Sequence, residues 1–203
     1  EQIEVKQKAI EAAKAVIDNL EKERRYFGQT LIKIKDVEWV ELGEVCEIEK
    51  GTSITKAKIT NGNVPVIAGG QQPAYYHNQS NRNGQTITIS ASGAYAGFVN
   101  YFETPIFASD CTTIKAKNEN NLLTKFVFCF LKTRQKDIYK LQKGMGQPHV
   151  YGKDLAKIKI PLPSLEIQKQ LVAEMEEQEK IIEANKKLIG IMEQKITEVL
   201  NEI

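Results

Sequence analysis

The chain has 203 residues, 41% hydrophobic and 27% charged, with a formal net charge of +2, which fits one ordinary folded domain plus an extension, or two small domains, and excludes a disordered chain. Its longest apolar runs, such as FVFCFL at Phe126–Leu131, are too short to cross a bilayer, and no basic-then-apolar leader is visible, so neither a membrane span nor export is expected. Cys46, Cys111 and Cys129 are odd in number and lack any CxxC pairing, which argues against a disulfide framework or zinc site and for reduced thiols in a cytoplasmic protein.

At the N-terminus, Ile3, Ile10, Ala13, Ile17, Leu20 and Phe27 recur at spacings of three and four, interrupted by Lys6 and Arg24. That pattern predicts an amphipathic helix over residues 1–27. It is already under way at Glu1, and the chain is expected to be a piece of something longer. Between residues 37 and 163 the signals change to short strand-like stretches at Val64–Ala68, Gln85–Ser90, Gly97–Phe102, Ile106–Ala108 and Thr112–Ala116, separated by Gly, Asn and Pro clusters. One or two helices are predicted within Asn121–Lys140. The whole reads as an α+β domain with a small mixed sheet and long, ordered loops.

From residue 164 to 203 a stronger helical pattern follows. Leu171, Met175, Gln178, Ile182, Asn185, Ile189, Met192, Ile196, Val199 and Ile203 alternate spacings of four and three. Ser164 is placed to cap this helix, which at 1.5 Å per residue reaches about 55 Å, longer than a small domain is wide. Gln178 and Asn185 in the seam are read either as a wet stretch of surface helix or as residues fixing register and partner. Because one domain separates the two helices, they are expected to run back antiparallel, with Ile10 and Ile17 facing the C-terminal seam.

Charge is partitioned along the chain. Lys50–Ile160 carries fifteen Lys and Arg against five Asp and Glu, whereas the segments on either side are each acidic. A solvated lysine-rich surface would give the same count, but a concentrated positive field is also what a polyanion requires. The stretch KTRQKDIYKLQK places Lys132, Arg134, Lys136, Lys140 and Lys143 together, and GMGQPHVYGK follows with Gln147, His149, Tyr151 and Lys153. A second loop, GGQQPAYYHNQSNRNG, offers Gln71, Gln72, Tyr75, Tyr76, His77, Arg82 and Asn83. Such side chains bond base edges or phosphates. Gln71 and Gln72 can equally satisfy their own loop, Tyr75 and Tyr76 can be core, and Ser90, Ser92 and Tyr95 are weaker candidates.

Four stretches carry a resemblance: WVELGEVCEIEKGTSITK at Trp39–Lys56, VPVIAGGQQPAYY at Val64–Tyr76, ISASGAYAGFVNYFETPIFASDCTTI at Ile89–Ile114, and KGMGQPHVYGKDLAKIKIPLPSLEIQKQLVAEME at Lys143–Glu176. The chain resembles the specificity subunit of Type I restriction-modification systems. The last stretch is the most specific, with a glycine-rich loop, a D-L-x-x-I-x-I-P-L-P strand and an E-I-Q-x-Q helix start in fixed order. The resemblance implies one target-recognition domain reading a few base pairs of double-stranded DNA, held at one end of an antiparallel helix pair. It implies modification (methyltransferase) subunits as partners, with AdoMet bound there, and a restriction subunit through the complex. The other half of a split site would be read by a second recognition domain, either in the same full-length subunit or in a homodimer partner.

No cofactor and no metal are expected in this chain. It lacks an AdoMet-binding glycine motif and an (N/D)-P-P-(Y/F) catalytic loop. SGAYAG at Ser92–Gly97 is a lone glycine-rich turn, with Gly93 and Gly97 read as turn or close-packing positions, and His77 and His149 stand far apart without a carboxylate cluster. The alternatives are a coiled-coil adaptor whose basic domain binds an acidic protein, and a DNA-binding module without a methyltransferase partner.

Overall fold

The computed structural model describes the backbone of residues 2–33 and 37–201, and the side chains of all of these except 25–33. Two long helices, α1 (Gln2–Lys33) and α6 (Leu165–Asn201), frame the α+β domain. They pack against each other in opposite directions. Val5 and Ala9, near the start of α1, share a cleft with Met192 and Lys195, near the end of α6, while Arg24 donates to the Met175 carbonyl at 3.3 Å and pairs with Glu179 at 2.6 Å. On this register Ile17 comes about level with Ile182, and Ala13 with Ile189.

The predicted seam is the buried stripe. Ile10, Ala13, Met175 and Ile182 are buried, and Ile17, Leu171, Gln178, Asn185, Ile189, Met192, Ile196 and Val199 are half-buried amid exposed neighbours. The side chain of Phe27 and the whole of Ile203 lie outside the described residues. Asn185 bonds the Ile181 carbonyl of its own helix at 2.8 Å. Gln178 Oε1 and Arg24 Nε are buried without a hydrogen-bond partner among the described residues.

Three small sheets make up the β part. Four strands form the central one, in the order β2 (Cys46–Lys50), β8 (Cys111–Ala116), β5 (Thr86–Ser90), β6 (Val99–Phe102), all antiparallel. All five residues of β5 are buried, since it has strands on both sides and Ile87 and Ile89 pack in the main core. That core is completed by α3 (Thr124–Thr133) through Phe126, Val127, Phe130 and Leu131. A mixed sheet, β4 (Tyr75–His77), β3 (Val64–Ile67), β7 (Phe107–Ala108), pairs β3 with β7 in parallel. A ribbon joins β1 (Glu38–Glu41) to β9 (Lys159–Leu162). It tolerates Pro161 because each strand of a two-stranded ribbon leaves one side unpaired.

Short helices α2 (Leu42–Val45), α4 (Gln135–Tyr139) and α5 (Gly152–Leu155) connect these parts. The expected strands are present within a residue or two, and the region expected to be helical resolves into α3 and α4. β1, β2 and β4 are additional to the expected set. All three cysteines are free and buried, and burial pushes each thiol up to about 12.

The start of α6 explains the E-I-Q stretch. Ser164 Oγ accepts from the Ile167 amide at 3.4 Å, as a cap should. Gln168 is fully buried: its Oε1 accepts from the Leu123 amide at 2.8 Å, and its Nε2 donates to the Asn121 and Pro163 carbonyls, both at 2.9 Å. One side chain thus ties the helical arm to the entry of α3. Lys125 adds a second tie, bridging Glu103 at 2.5 Å and Glu176 at 2.9 Å.

Candidate nucleic-acid interface

Two loops far apart in sequence meet at the end of β5. The first is the β3–β4 connection, closed by the Ala74 amide on the Val66 carbonyl at 2.9 Å, with Gln71 and Gln72 exposed at its tip. Its Gly70 carbonyl accepts from Ser90 Oγ at 3.4 Å. Gly69 presses on Ser92, where a Cβ would come within 2.7 Å of the Ser92 carbonyl. The second loop is a small hairpin in which Lys143 and His149 exchange both backbone hydrogen bonds, at 2.9 and 2.8 Å. It docks on the same strand end through the Gly93 amide on the Pro148 carbonyl at 3.0 Å and the Val150 amide on the Ala91 carbonyl at 3.0 Å. Ser92, whose hydroxyl bonds the Asp110 carboxylate, is therefore the shared floor of both loops.

This junction collects most of the predicted residues. Gln71, Gln72, Tyr75 and Tyr76 are exposed on one side, and Gln147, Tyr151 and Lys153 on the other. His149 is half-buried and stacks on Tyr151 at 6.1 Å with an interplanar angle of 22°, and Lys153 lies over the outer tyrosine ring at 5.8 Å. Tyr95, exposed, rises from the turn between β5 and β6. In that turn Gly97 adopts φ +92°, and a Cβ there would press on the Tyr139 ring at 3.3 Å.

Two sequence expectations are corrected. His77 is buried: it accepts from the Thr60 amide through Nδ1 at 3.0 Å and stands edge-on to Phe107 at 5.5 Å. It is a packing residue because its strand, β4, turns that position inward. Arg82 is saturated internally, donating to Thr113 Oγ1 at 3.0 Å, the Asn81 carbonyl at 2.7 Å and the Lys50 carbonyl at 3.1 Å, and pairing with Glu49 at 2.9 Å. With its donors spent on β2 and β8, it has little left for a base. It lines, with exposed Asn83, a separate cleft of about 440 Å³ that also holds Glu47 and Glu49. Arg82→Ala is expected to lower stability by roughly 1.5–3 kcal/mol, the range for hydrogen bonds to a charged group, without changing sequence preference. Thermal melts beside binding titrations check this.

The basic stretch also divides. Lys132 turns toward the helical arm, donating to the Val99 carbonyl at 3.0 Å over the Phe98 ring, and burial pulls its amine down. Lys140 and Arg134 share Asp137, at 2.8 and 3.3 Å, and the Lys140 hydrogen bond holds that carboxyl below the usual carboxylate range. Lys143 does the same to Asp154 at 2.7 Å. Lys56, Lys58, Lys136, Lys153 and Lys157 are exposed with no ion-pair partner among the described residues. Lys56, Lys58, Asp110 and the anchoring role of Ser92 were not singled out as site features from sequence. The two lysines were visible there only as contributors to the positive count.

Among the described residues no helix is long and apolar enough to cross a membrane, and no His, Cys, Asp or Glu cluster could hold a metal ion. The arrangement offers amide and phenol groups on two braced loops with Lys153 beside them, on a domain that carries further exposed lysines without an ion-pair partner among the described residues. It suits a flat, polar, anionic partner better than a small molecule.

Comparison with known proteins points the same way. Residues 34–200 match the family described as the Type I restriction modification DNA specificity domain. The specificity subunit of the Type I restriction enzyme MpnII from Mycoplasma pneumoniae is 31% identical over 166 residues, covering 75% of this chain and 46% of that protein. That of the MjaVIII enzyme from Methanocaldococcus jannaschii is 34% identical over 121 residues, covering 59% and 26%. Among solved structures, a Type I restriction-modification S subunit from M. genitalium aligns with a TM-score of 0.75 at 20% identity, over 98% of this chain and 57% of that one. The HsdS subunit of Thermoanaerobacter tengcongensis aligns with a TM-score of 0.68 at 18% identity, over 98% and 54%. The structural matches establish the fold, and the chain spans about half the length of the proteins it matches.

Proposed function

This chain belongs to the Type I restriction modification DNA specificity family, and on that premise we propose that it reads one half of a bipartite site in duplex DNA while its helical arm docks a modification subunit. The observation that carries this reading is the convergence of the Gln71–Gln72 tip and the Lys143–His149 hairpin on Ser92, at one end of a basic domain. Phosphate contacts position such a domain and base contacts specify the sequence. Here the exposed lysines supply the first kind, and Gln71, Gln72 and Gln147 the second. The chain is non-catalytic in this proposal. AdoMet binds on the modification subunit, which turns the target adenine out of the stack, and a restriction subunit joins through the complex. The second half-site is read by a second recognition domain, in the same longer subunit or in a homodimer partner, at a spacing set by the helices.

Gln147→Ala is expected to narrow the gap between cognate and scrambled duplexes by roughly 1–3 kcal/mol, the worth of one bidentate base contact. Lys153→Ala is expected to weaken both equally and to flatten the salt dependence. Titrations on paired duplexes at increasing salt test this. Equal losses for Gln147→Ala remove it from the readout, and binding without steep salt dependence favours an adaptor for an acidic protein.

A further inference from the structure

The Lys143–His149 hairpin ends in a side chain that polar readout does not account for. Met145 is fully exposed, at 105% of its reference area, the most exposed large apolar side chain among the described residues. Its neighbours Gly144 and Gly146 both adopt left-handed backbone, φ +104° and +96°, so the thioether stands alone at a tip with no side chain beside it. A Cβ on Gly144 would come within 2.9 Å of the Gln147 carbonyl, which makes that glycine a requirement of the turn. The base of the hairpin is stiff. It is closed by the Lys143–His149 pair and pinned to β5 by Pro148 and Val150.

Resting on the reading above, we propose that Met145 is an apolar wedge that enters between two base pairs of the bound duplex and partly unstacks them. An apolar side chain inserted at a base step opens it and bends the duplex toward further protein surface. Three features favour DNA over a protein groove as its occupant. The bare glycines make the tip thin enough to approach the floor of a groove. The exposed side chains on the two loops and just beyond the hairpin are amides, phenols and a cation, among them Gln71, Gln72, Gln147, Tyr151 and Lys153. No second aliphatic side chain is exposed on the hairpin, whereas the apolar anchor of a protein interface sits within a desolvated ring of neighbours. The braced base lets the tip resist the push of the stack it opens. Selectivity for an easily unstacked pyrimidine–purine step then arises without a hydrogen bond to it.

The test uses the chain assembled with its modification subunits and duplexes carrying 2-aminopurine at successive positions of a site the complex selects. Wild type is expected to brighten the probe at the target adenine and at one separate step. Met145→Ala is expected to remove only the second signal and to weaken binding by about tenfold, while Met145→Leu keeps both. An exposed tip makes misfolding no explanation for a loss. Identical fluorescence in wild type and Met145→Ala overturns the wedge and leaves the recognition function standing, as does weakened assembly with the modification subunits when probe signals are unchanged. Loss of discrimination against a thymine-containing position alone, with the separate step still bright, also overturns it, in favour of a methyl-group contact. A wild-type complex that selects no site overturns the recognition reading and the wedge with it.

Discussion

Replacing Ile182 and Ile189 together by Asp is expected to separate the two long helices. Ile182 is only 2% exposed, and Ile189 is half-buried two turns along the same stripe. Of the cations in the stripe, Arg24 is already paired with Glu179 and Lys6 lies toward Met192 and Lys195, so a carboxylate at these positions is uncompensated, and an uncompensated buried charge costs roughly 3–5 kcal/mol. Helices of this composition owe their stability to packing of the apolar stripe rather than to propensity, so losing the seam unwinds the outer arm. Far-UV circular dichroism should show loss of helix at a temperature where the wild-type arm is intact, and Ile182→Leu should behave as wild type. An unchanged spectrum and melt for the double variant would contradict the antiparallel seam.

Gln168→Ala is the second change expected to be large, because one substitution removes the partner of three backbone groups, of which the Pro163 carbonyl is buried and the Leu123 amide half-buried. The Leu123 amide and the Asn121 and Pro163 carbonyls each lose their partner. The exposed Asn121 carbonyl can turn to water, so at roughly 1–3 kcal/mol for each of the other two groups the total is about 2–6 kcal/mol. Gln168→Glu separates bonding from packing: its carboxylate still accepts from Leu123 but repels both carbonyls. Both variants should unfold at lower denaturant concentration than wild type, and both should show faster amide exchange where α3 begins. A Gln168→Ala melt within error of wild type would mean that this joint does not hold the arm to the domain.

Period and punctuation made much of the fold legible. The 3–4 spacing of Leu171 through Val199 marks its buried stripe residue by residue, and Gly, Asn and Pro clusters bound the strands near their observed ends. The β1–β9 ribbon was not legible as a pair. Glu38 and Leu162 meet across the whole domain, and no local signal encodes a partner so distant. The short, charge-bearing Cys46–Lys50 strand was missed for a related reason. Its pairing with β8, rather than its own propensity, makes it a strand.

The candidate site was legible by residue type but not by arrangement. Gln71, Gln72, Gln147 and Tyr151 lie exposed on loops, and Lys153 exposed on α5, as their polarity suggested. His77 and Arg82 carried the same polarity and the same loop setting, yet one turns inward on β4 and the other spends its donors on β2 and β8. Sequence shows which groups can bond, not whether the fold has already used them. The meeting of both loops on Ser92 depends on two backbone hydrogen bonds from the hairpin and on the Ser90 hydroxyl and Gly69 for the other loop, and periodicity carries no record of those.

The central claim, that this chain chooses the DNA and a partner performs the chemistry, is tested most directly by methyl transfer from labelled AdoMet into a library of duplexes, with and without the modification subunits. The predicted result is no incorporation by the chain alone, and incorporation with the partner only into duplexes sharing one short half-site. Label incorporated by the chain alone, or transfer with the partner that is indifferent to sequence, would contradict it.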